Sequence, residues 1–149
     1  VGGPITGWRN AGAYIIDDLK QSVRVGIAST AFVPMLTTNK NDAKQGWEAD
    51  AAKYKVSEFA DIQERNFDEV ASCVLDNMVV GVGLSWWSHA VSFAVLKDLD
   101  PKKKATDITR YGMEFANSWG TGFGNKGWGV LTGSKMIPDS AYTILQSLV

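Results

Sequence analysis

The stretch ANSWGTGFGNKGWG, residues 116–129, constrains the fold more than any other part of the chain. Its fourteen residues hold five glycines, two asparagines and two tryptophans. Glycine weakens the interior of a strand unless a bulge or a close backbone approach is needed. We therefore expect a tightly turning segment between two strands, GMEFAN before it and GWGVLT after it. The two indoles need a partner elsewhere in the chain.

Composition excludes several classes of function. The chain has 149 residues, 45% of them hydrophobic, which is enough for one sizeable core. A net charge of −1 argues against binding to nucleic acid or to a membrane surface. No run of eighteen apolar residues is present, so no membrane span is expected. Neither a metal nor an organic cofactor is expected, and no targeting segment is visible at the start of the sequence.

The cysteine count and the first residue add two expectations. Cys73 is the only cysteine, which excludes an internal disulfide. The sequence starts at Val1 instead of a methionine, and we expect that translation begins upstream.

Apolar periodicity predicts an α+β fold with an antiparallel sheet, because the helical patterns come early and the strand patterns late. Asn66, three residues before Glu69, predicts a capped helix start. Residues 37–46 and 98–107 are polar or charged and predict loops. The predicted helices cover residues 8–20, 67–75 and part of 140–148, and the earlier predicted strands cover residues 54–59, 78–84 and 90–96.

The single histidine, His89, stands at the head of the predicted strand 90–96, next to two tryptophans. A lone histidine in that setting is most often a packed structural residue. A functional role needs a partner that fixes the ring, and the carbonyl of an asparagine can select one imidazole tautomer. Asn117 is the candidate partner, although on its own it could equally be a turn residue.

Together these segments resemble the C-terminal half of papain-like cysteine peptidases, the C1 family. The resemblance rests on SHAVSFAVL followed by MEFANSWGTGFGNKGWGVL, and on YKVSEF, FDEVASCVLDN and MVVGVGL in the same order upstream. It implies a papain-like fold over residues 1–149, with the antiparallel β-barrel half and part of the helical half. It also implies that Asn117 orients a catalytic His89 and that Trp119 shields this pair.

The same resemblance implies a peptide or protein substrate. Its backbone would pair with Gly2 and Gly3, and Gly83 and Ala90 would line the pocket for the side chain two residues before the scissile bond. Small residues at both positions predict a roomy apolar pocket. We interpret three further tryptophans as core aromatics, namely Trp86, Trp87 and Trp128.

The nucleophile of the family has no counterpart in the sequence. Cys73 lies among apolar residues on the predicted helix 67–75, and we interpret it as a packing residue. One hypothesis is that the N-terminal helix with the catalytic cysteine lies before Val1, so that this chain alone is inactive and needs a complementary N-terminal segment or chain. The other is a catalytically silent papain-like module that binds or builds a larger assembly. The order of the matching segments favours the first.

Two departures from the family pattern concern the approach to His89. Only SWWS separates the strand 78–84 from the histidine, where the family usually has a longer excursion. Ser88 stands where asparagine or aspartate is common. Both departures affect the expected shape of the cleft wall more than the His89–Asn117 pair.

Overall fold

A computed structural model describes residues 7–8, 13–34 and 37–148, without the side chains of residues 146–148. The helices are α1 (Ile15–Arg24), α2 (Trp47–Ala51) and α3 (Phe67–Leu75). The strands are β1 (Lys55–Ile62), β2 (Val80–Leu84), β3 (His89–Asp98), β4 (Tyr111–Ala116), β5 (Trp128–Thr132) and β6 (Ser140–Leu148). Short 3-10 helices cover Lys40–Asp42, Ile108–Arg110 and Gly133–Met136.

The chain forms two compact units. One extends to Phe59 and resumes at Ile144, and the other comprises residues 60–143. The six strands have the order β1-β6-β2-β3-β4-β5, and β2 pairs antiparallel with β3 and β6, as β4 does with β3 and β5. The predicted α+β class with an antiparallel sheet is confirmed.

Alternation along the central strands builds the core of the unit formed by residues 60–143. In β2 Val80, Val82 and Leu84 are buried, and Gly81 and Gly83 between them are partly exposed. Phe93 of β3 and Met113 of β4 are both fully buried. Helix α3 contributes Val70 and Val74 to the same cluster. Period-two burial on the sheet and helical spacing on α3 therefore supply the two faces of one core.

The start of α3 matches its prediction. The Asn66 side chain accepts a hydrogen bond from the Glu69 backbone N–H at 3.1 Å. A Glu69 carboxylate oxygen in turn accepts hydrogen bonds from the Asn66 side chain and from the Gln63 backbone N–H. The Asn66 contact satisfies a backbone donor that the first helical turn leaves without a partner. The predicted helix 67–75 is confirmed with the same bounds.

The predicted helix within residues 140–148 is wrong, because this segment is strand β6. Its apolar residues fit a helical period, but Ala141 and Thr143 alternate as the buried residues of a strand. Ala141 lies opposite Val82 in the pairing with β2. The unpaired backbone groups at the edge of β2 need hydrogen-bond partners, and β6 provides them.

The first predicted helix is wrong in its start. Trp8 has a backbone φ of 61°, in the left-handed region, so it does not belong to a right-handed helix. The helix begins at Ile15 and continues to Arg24, and residues 9–12 lie outside the described part of the chain.

Among the described residues, no helix is both long and apolar enough to cross a membrane.

Candidate active site

The antiparallel pairing of β3 and β4 brings His89 and Asn117 together. His89 is the first residue of β3, and Asn117 directly follows β4. Ser92 lies opposite Ala116, so the start of β3 meets the end of β4. His89 Nε2 is 2.9 Å from Asn117 Oδ1, although the two residues are 28 positions apart in the sequence.

This contact decides which imidazole nitrogen carries the proton. A side-chain carbonyl oxygen can only accept a hydrogen bond, so His89 Nε2 must donate it. In the neutral ring Nδ1 is then the unprotonated nitrogen, able to accept a proton. No hydrogen bond to Nδ1 is formed by the described residues. The pair therefore leaves Nδ1 as the nitrogen that can exchange a proton with another group.

Two indoles pack against the His89 ring. The Trp119 ring lies with its centroid 4.7 Å from that of His89, tilted by 31°. The Trp87 centroid is 4.9 Å away, with the rings at 68°. Trp87 also contacts Trp119 and Phe115 edge-on, which connects the imidazole to the core. The structure thus brings Trp119 onto His89, and 56% of the Trp119 surface remains exposed.

The interpretation of the other tryptophans as core aromatics is correct only for Trp87, which packs against the core cluster. Trp86 is 46% exposed and Trp128 is 38% exposed, so neither is a core residue. The Trp86 ring stacks on Trp87 at 5.5 Å between centroids. The two indoles are adjacent in one short turn, and the dipeptide alone does not show which of them packs against the core.

Asp139 holds the turn that leads to His89. One of its carboxylate oxygens accepts a hydrogen bond from the Ser85 backbone N–H at 2.8 Å, and the other from Arg65 Nη1 at 3.0 Å. Its own backbone N–H donates to Gly83 O. The Ser85 contacts, followed by the charge of Arg65, keep the pKa of Asp139 below its ordinary value.

Ser88 completes this turn in an unfavourable backbone conformation. Its φ is 51°, in the left-handed region that asparagine and aspartate tolerate better than other non-glycine residues. Serine is therefore a less favourable residue at this position than asparagine or aspartate would be.

Two glycines of the stretch 116–129 are required by close packing. A Cβ on Gly124, where φ is +48°, would lie 2.1 Å from the Trp128 carbonyl oxygen. A Cβ on Gly129 would lie 2.5 Å from the Phe115 ring. The Asn117 backbone N–H also donates a hydrogen bond to Gly127 O in this loop, at 2.9 Å. The glycines thus let the loop fold back closely enough to fix Asn117 beside His89.

The proposed substrate contacts are only partly described. Gly2 and Gly3 lie outside the described residues. Gly83 and Ala90 face each other across β2 and β3, and the next pair along the strands is Leu84 with His89. Because adjacent pairs alternate between the faces of a sheet, Gly83 and Ala90 share the face opposite to His89. Their role in binding a substrate side chain stays a prediction.

Cys73 lies half-buried on α3 and packs against the core. Burial raises the pKa of its thiol, and the nearby carboxylates of Glu69 and Asp76 raise it further. A raised pKa disfavours the thiolate, which is the nucleophilic form. Among the described residues no hydrogen bond connects Cys73 with His89.

The described part of the chain contains no group of three or more His, Cys, Asp or Glu side chains that could hold a metal ion.

Replacing Gly124 with alanine should destabilise the chain far more than the same change at Gly122. The Gly124 Cβ would meet the Trp128 carbonyl oxygen in a strained backbone conformation, whereas a Cβ on Gly122 has no atom within 4 Å. We expect Gly124→Ala to lower the free energy of unfolding by about 1–3 kcal/mol or more, and Gly122→Ala to change it by less than about 0.5 kcal/mol. Denaturant unfolding measures both, and equal effects would contradict this view of the loop.

Asp139→Asn should lower stability at neutral pH and lose its effect in acid. The folded-state pKa of Asp139 is lowered, so its stabilising contribution is present above the ordinary carboxyl pKa and is lost as pH falls through the folded value. We expect a loss of about 1 kcal/mol at pH 7 that shrinks below about pH 4. Denaturant unfolding at both pH values tests this, with the exposed Asp61→Asn as control. A difference from wild type that stays constant with pH would contradict it.

Comparisons with known proteins agree with this architecture. No protein-family model and no curated protein sequence matches the chain. Among solved structures, bromelain from Ananas comosus in complex with the E64 inhibitor is similar with a TM-score of 0.66 at 16% identity, over 91% of this chain and 71% of bromelain. Digestive procathepsin L 3 from Tenebrio molitor has a TM-score of 0.71 at 16% identity, over 94% and 52% of the two chains.

Xylellain, a cysteine protease from Xylella fastidiosa, is similar with a TM-score of 0.66 at 17% identity, over 91% of this chain and 62% of xylellain. The match thus spans between about half and about seven tenths of these proteins' lengths. Together with the helices and the antiparallel sheet, these similarities show that the chain has the fold of papain-like cysteine proteases.

Proposed function

We propose that this chain supplies the histidine and asparagine of a papain-like cysteine peptidase, which hydrolyses peptide bonds with a thiol nucleophile. The observation that carries the proposal is the 2.9 Å contact between His89 Nε2 and Asn117 Oδ1 in a chain with this fold. The pair alone would not separate a catalytic from a structural histidine. The free Nδ1 and the two indoles against the ring support the catalytic role.

In the proposed reaction the thiolate attacks the carbonyl carbon of the scissile peptide bond. His89 takes the thiol proton at Nδ1 and later gives it to the leaving amine, and water then hydrolyses the thioester. Asn117 keeps the ring in the tautomer and orientation that this exchange needs. Trp119 and Trp87 limit water around the imidazole, which strengthens the hydrogen bond to Asn117.

The nucleophile of this reaction is not Cys73. Its half-buried position in the core and its raised pKa are the opposite of what activates a thiol. We therefore place the nucleophile on a complementary N-terminal segment or chain outside these 149 residues. The substrate, a peptide or protein, would contact Gly2 and Gly3 with its backbone and Gly83 and Ala90 with a side chain.

A catalytically silent module is the second candidate. The contacts of Trp87 with His89, Phe115 and Trp119 give the imidazole a packing role as well. A module without a nucleophile would keep these residues because they connect the sheet to the glycine-rich loop. Such a module would bind a partner or form part of a larger assembly.

Peptide hydrolysis by this chain combined with the proposed cysteine-bearing N-terminal segment or chain tests the proposal. We expect turnover that the E64 inhibitor blocks. His89→Ala should lower kcat/KM by on the order of 1,000-fold, because it removes the acid–base group. Asn117→Ala should lower it by on the order of 100-fold or less, because it releases the ring from its position but leaves the group in place.

Cys73→Ser serves as the control and should keep nearly full activity. Loss of turnover in this variant would make Cys73 the nucleophile and overturn the assignment. Wild-type rates in both the His89 and the Asn117 variants would contradict a catalytic pair. A complementary segment that has serine or glycine at the position of the nucleophile, and gives no turnover, would favour the silent module.

A further inference from the structure

A cavity of about 370 Å³ lies beside the turn that leads to His89, within the unit formed by residues 60–143. Trp86 and Ile137 provide its apolar lining. The polar lining consists of Arg65, Ser85, Ser134, Lys135 and Asp139. None of the roles assigned to His89, Asn117 or Trp119 uses this cavity.

The charges around the cavity leave one cation without an anionic partner. Asp139 and Arg65 form an ion pair at 3.0 Å, and the second Asp139 oxygen is occupied by the Ser85 N–H. Lys135 Nζ instead lies 5.1 Å from the centroid of the Trp86 ring. Within the described part of the chain no carboxylate lies within ion-pair distance of Lys135. The cavity therefore has a net charge of +1 and a free ammonium group that attracts an anion.

The fold positions the Lys135 backbone and the Trp86 indole, and the exposed Lys135 side chain lies over that ring. Lys135 belongs to the 3-10 helix Gly133–Met136, which is anchored by the fully buried Met136. The Trp86 Nε1–H donates a hydrogen bond to the Lys135 carbonyl oxygen at 3.3 Å. The Trp86 ring also stacks on the Trp87 ring. A ligand that meets positioned groups loses less conformational entropy on binding than one that must order them.

The cavity is connected to His89 through two ring contacts. Trp86 stacks on Trp87 at 5.5 Å between centroids, and Trp87 contacts the His89 ring at 4.9 Å. Lys135 Nζ lies a further 5.1 Å from the Trp86 centroid. An extended peptide advances about 3.3 Å per residue, so roughly five residues at most span the path from His89 to the ammonium group. A peptide whose scissile bond is at His89 can therefore reach Lys135 with a residue nearby in its sequence.

We infer that this cavity is a subsite for a carboxylate of the peptide substrate, located within about five residues of the scissile bond. Lys135 binds the carboxylate, and the Trp86 ring packs against the aliphatic part that carries it. An acidic side chain and the C-terminal carboxylate of a short peptide offer the same chemistry. The identity of the ligand as a peptide rests on the proposed function, whereas the preference for a carboxylate rests on the cavity alone.

Direct binding to the 149-residue chain tests the subsite without turnover. The probes are acetyl-Gly-Gly-Glu-Gly-Gly-amide, the same peptide with glutamine, and acetylated pentaglycine with a free C-terminus. The signal is the Trp86 indole N–H resonance, assigned with Trp86→Phe. We expect the glutamate peptide to shift it at pH 7 and the glutamine peptide to leave it unchanged. A response to the free-terminus peptide alone would identify the C-terminal carboxylate as the ligand.

Charge variants distinguish binding of the peptide in the cavity from non-specific electrostatic attraction of the peptide to the chain. Lys135→Gln should weaken binding of the glutamate peptide by about fivefold, the effect expected for a partly exposed ion pair, and Lys135→Arg should retain it. Lys102→Gln removes the same charge from an exposed residue outside the cavity and should change nothing. Equal binding of the glutamate and glutamine peptides, or equal losses in the two glutamine variants, would overturn the subsite.

Measurements on the chain combined with the proposed cysteine-bearing segment separate this inference from the proposed function. In that combination Lys135→Gln should lower kcat/KM for acidic peptides and leave it unchanged for their amide counterparts. Carboxylate binding without any peptide cleavage would contradict the proposed function and leave the subsite standing. Cleavage that shows no preference for acidic peptides, without any shift of the Trp86 resonance, would refute the subsite alone.

Discussion

The hydrogen bond from His89 Nε2 to Asn117 Oδ1 joins the start of β3 to the end of β4. His89 and Asn117 each lie where a strand meets a loop, so other contacts must hold both residues in position. On the histidine side, Asp139 holds the turn 85–88 through the Ser85 N–H. On the asparagine side, the backbone bond to Gly127 O fixes the loop. Two loops that are separate in the sequence thus determine one short contact.

Aromatic packing gives this contact its surroundings. The imidazole lies against Trp119 and Trp87, and Trp87 continues into the core through Phe115. This packing restricts the ring without closing it off, since Trp119 is more than half exposed. The same indole series extends through Trp86 to the cationic cavity at Lys135. The proposed catalytic group and the proposed subsite are therefore linked through contacts between aromatic rings.

The sequence predicted the parts of the fold whose pattern has a single physical solution. Helix α3 needs one apolar stripe and one Asn66 cap, and its bounds follow from these alone. The spacing of residues 140–148 fits either a helix or a strand, and only the exposed edge of β2 decides between them. Similarly, Asp139 and Trp86 act through residues far away in the sequence. The contact of Asp139 with Ser85 and that of Trp86 with Lys135 leave no local pattern in the sequence, so the sequence analysis did not predict them.

The tautomer of His89 is the most direct test of the central claim, and the chain helps because it contains one histidine. The 15N spectrum of the imidazole, recorded at a pH where the ring is neutral, therefore reports a single residue. We expect a protonated Nε2 and an unprotonated Nδ1 in the wild-type chain, and a mixture of tautomers in Asn117→Ala. A proton on Nδ1 in the wild type, or a spectrum that Asn117→Ala leaves unchanged, would contradict the proposed role of the pair.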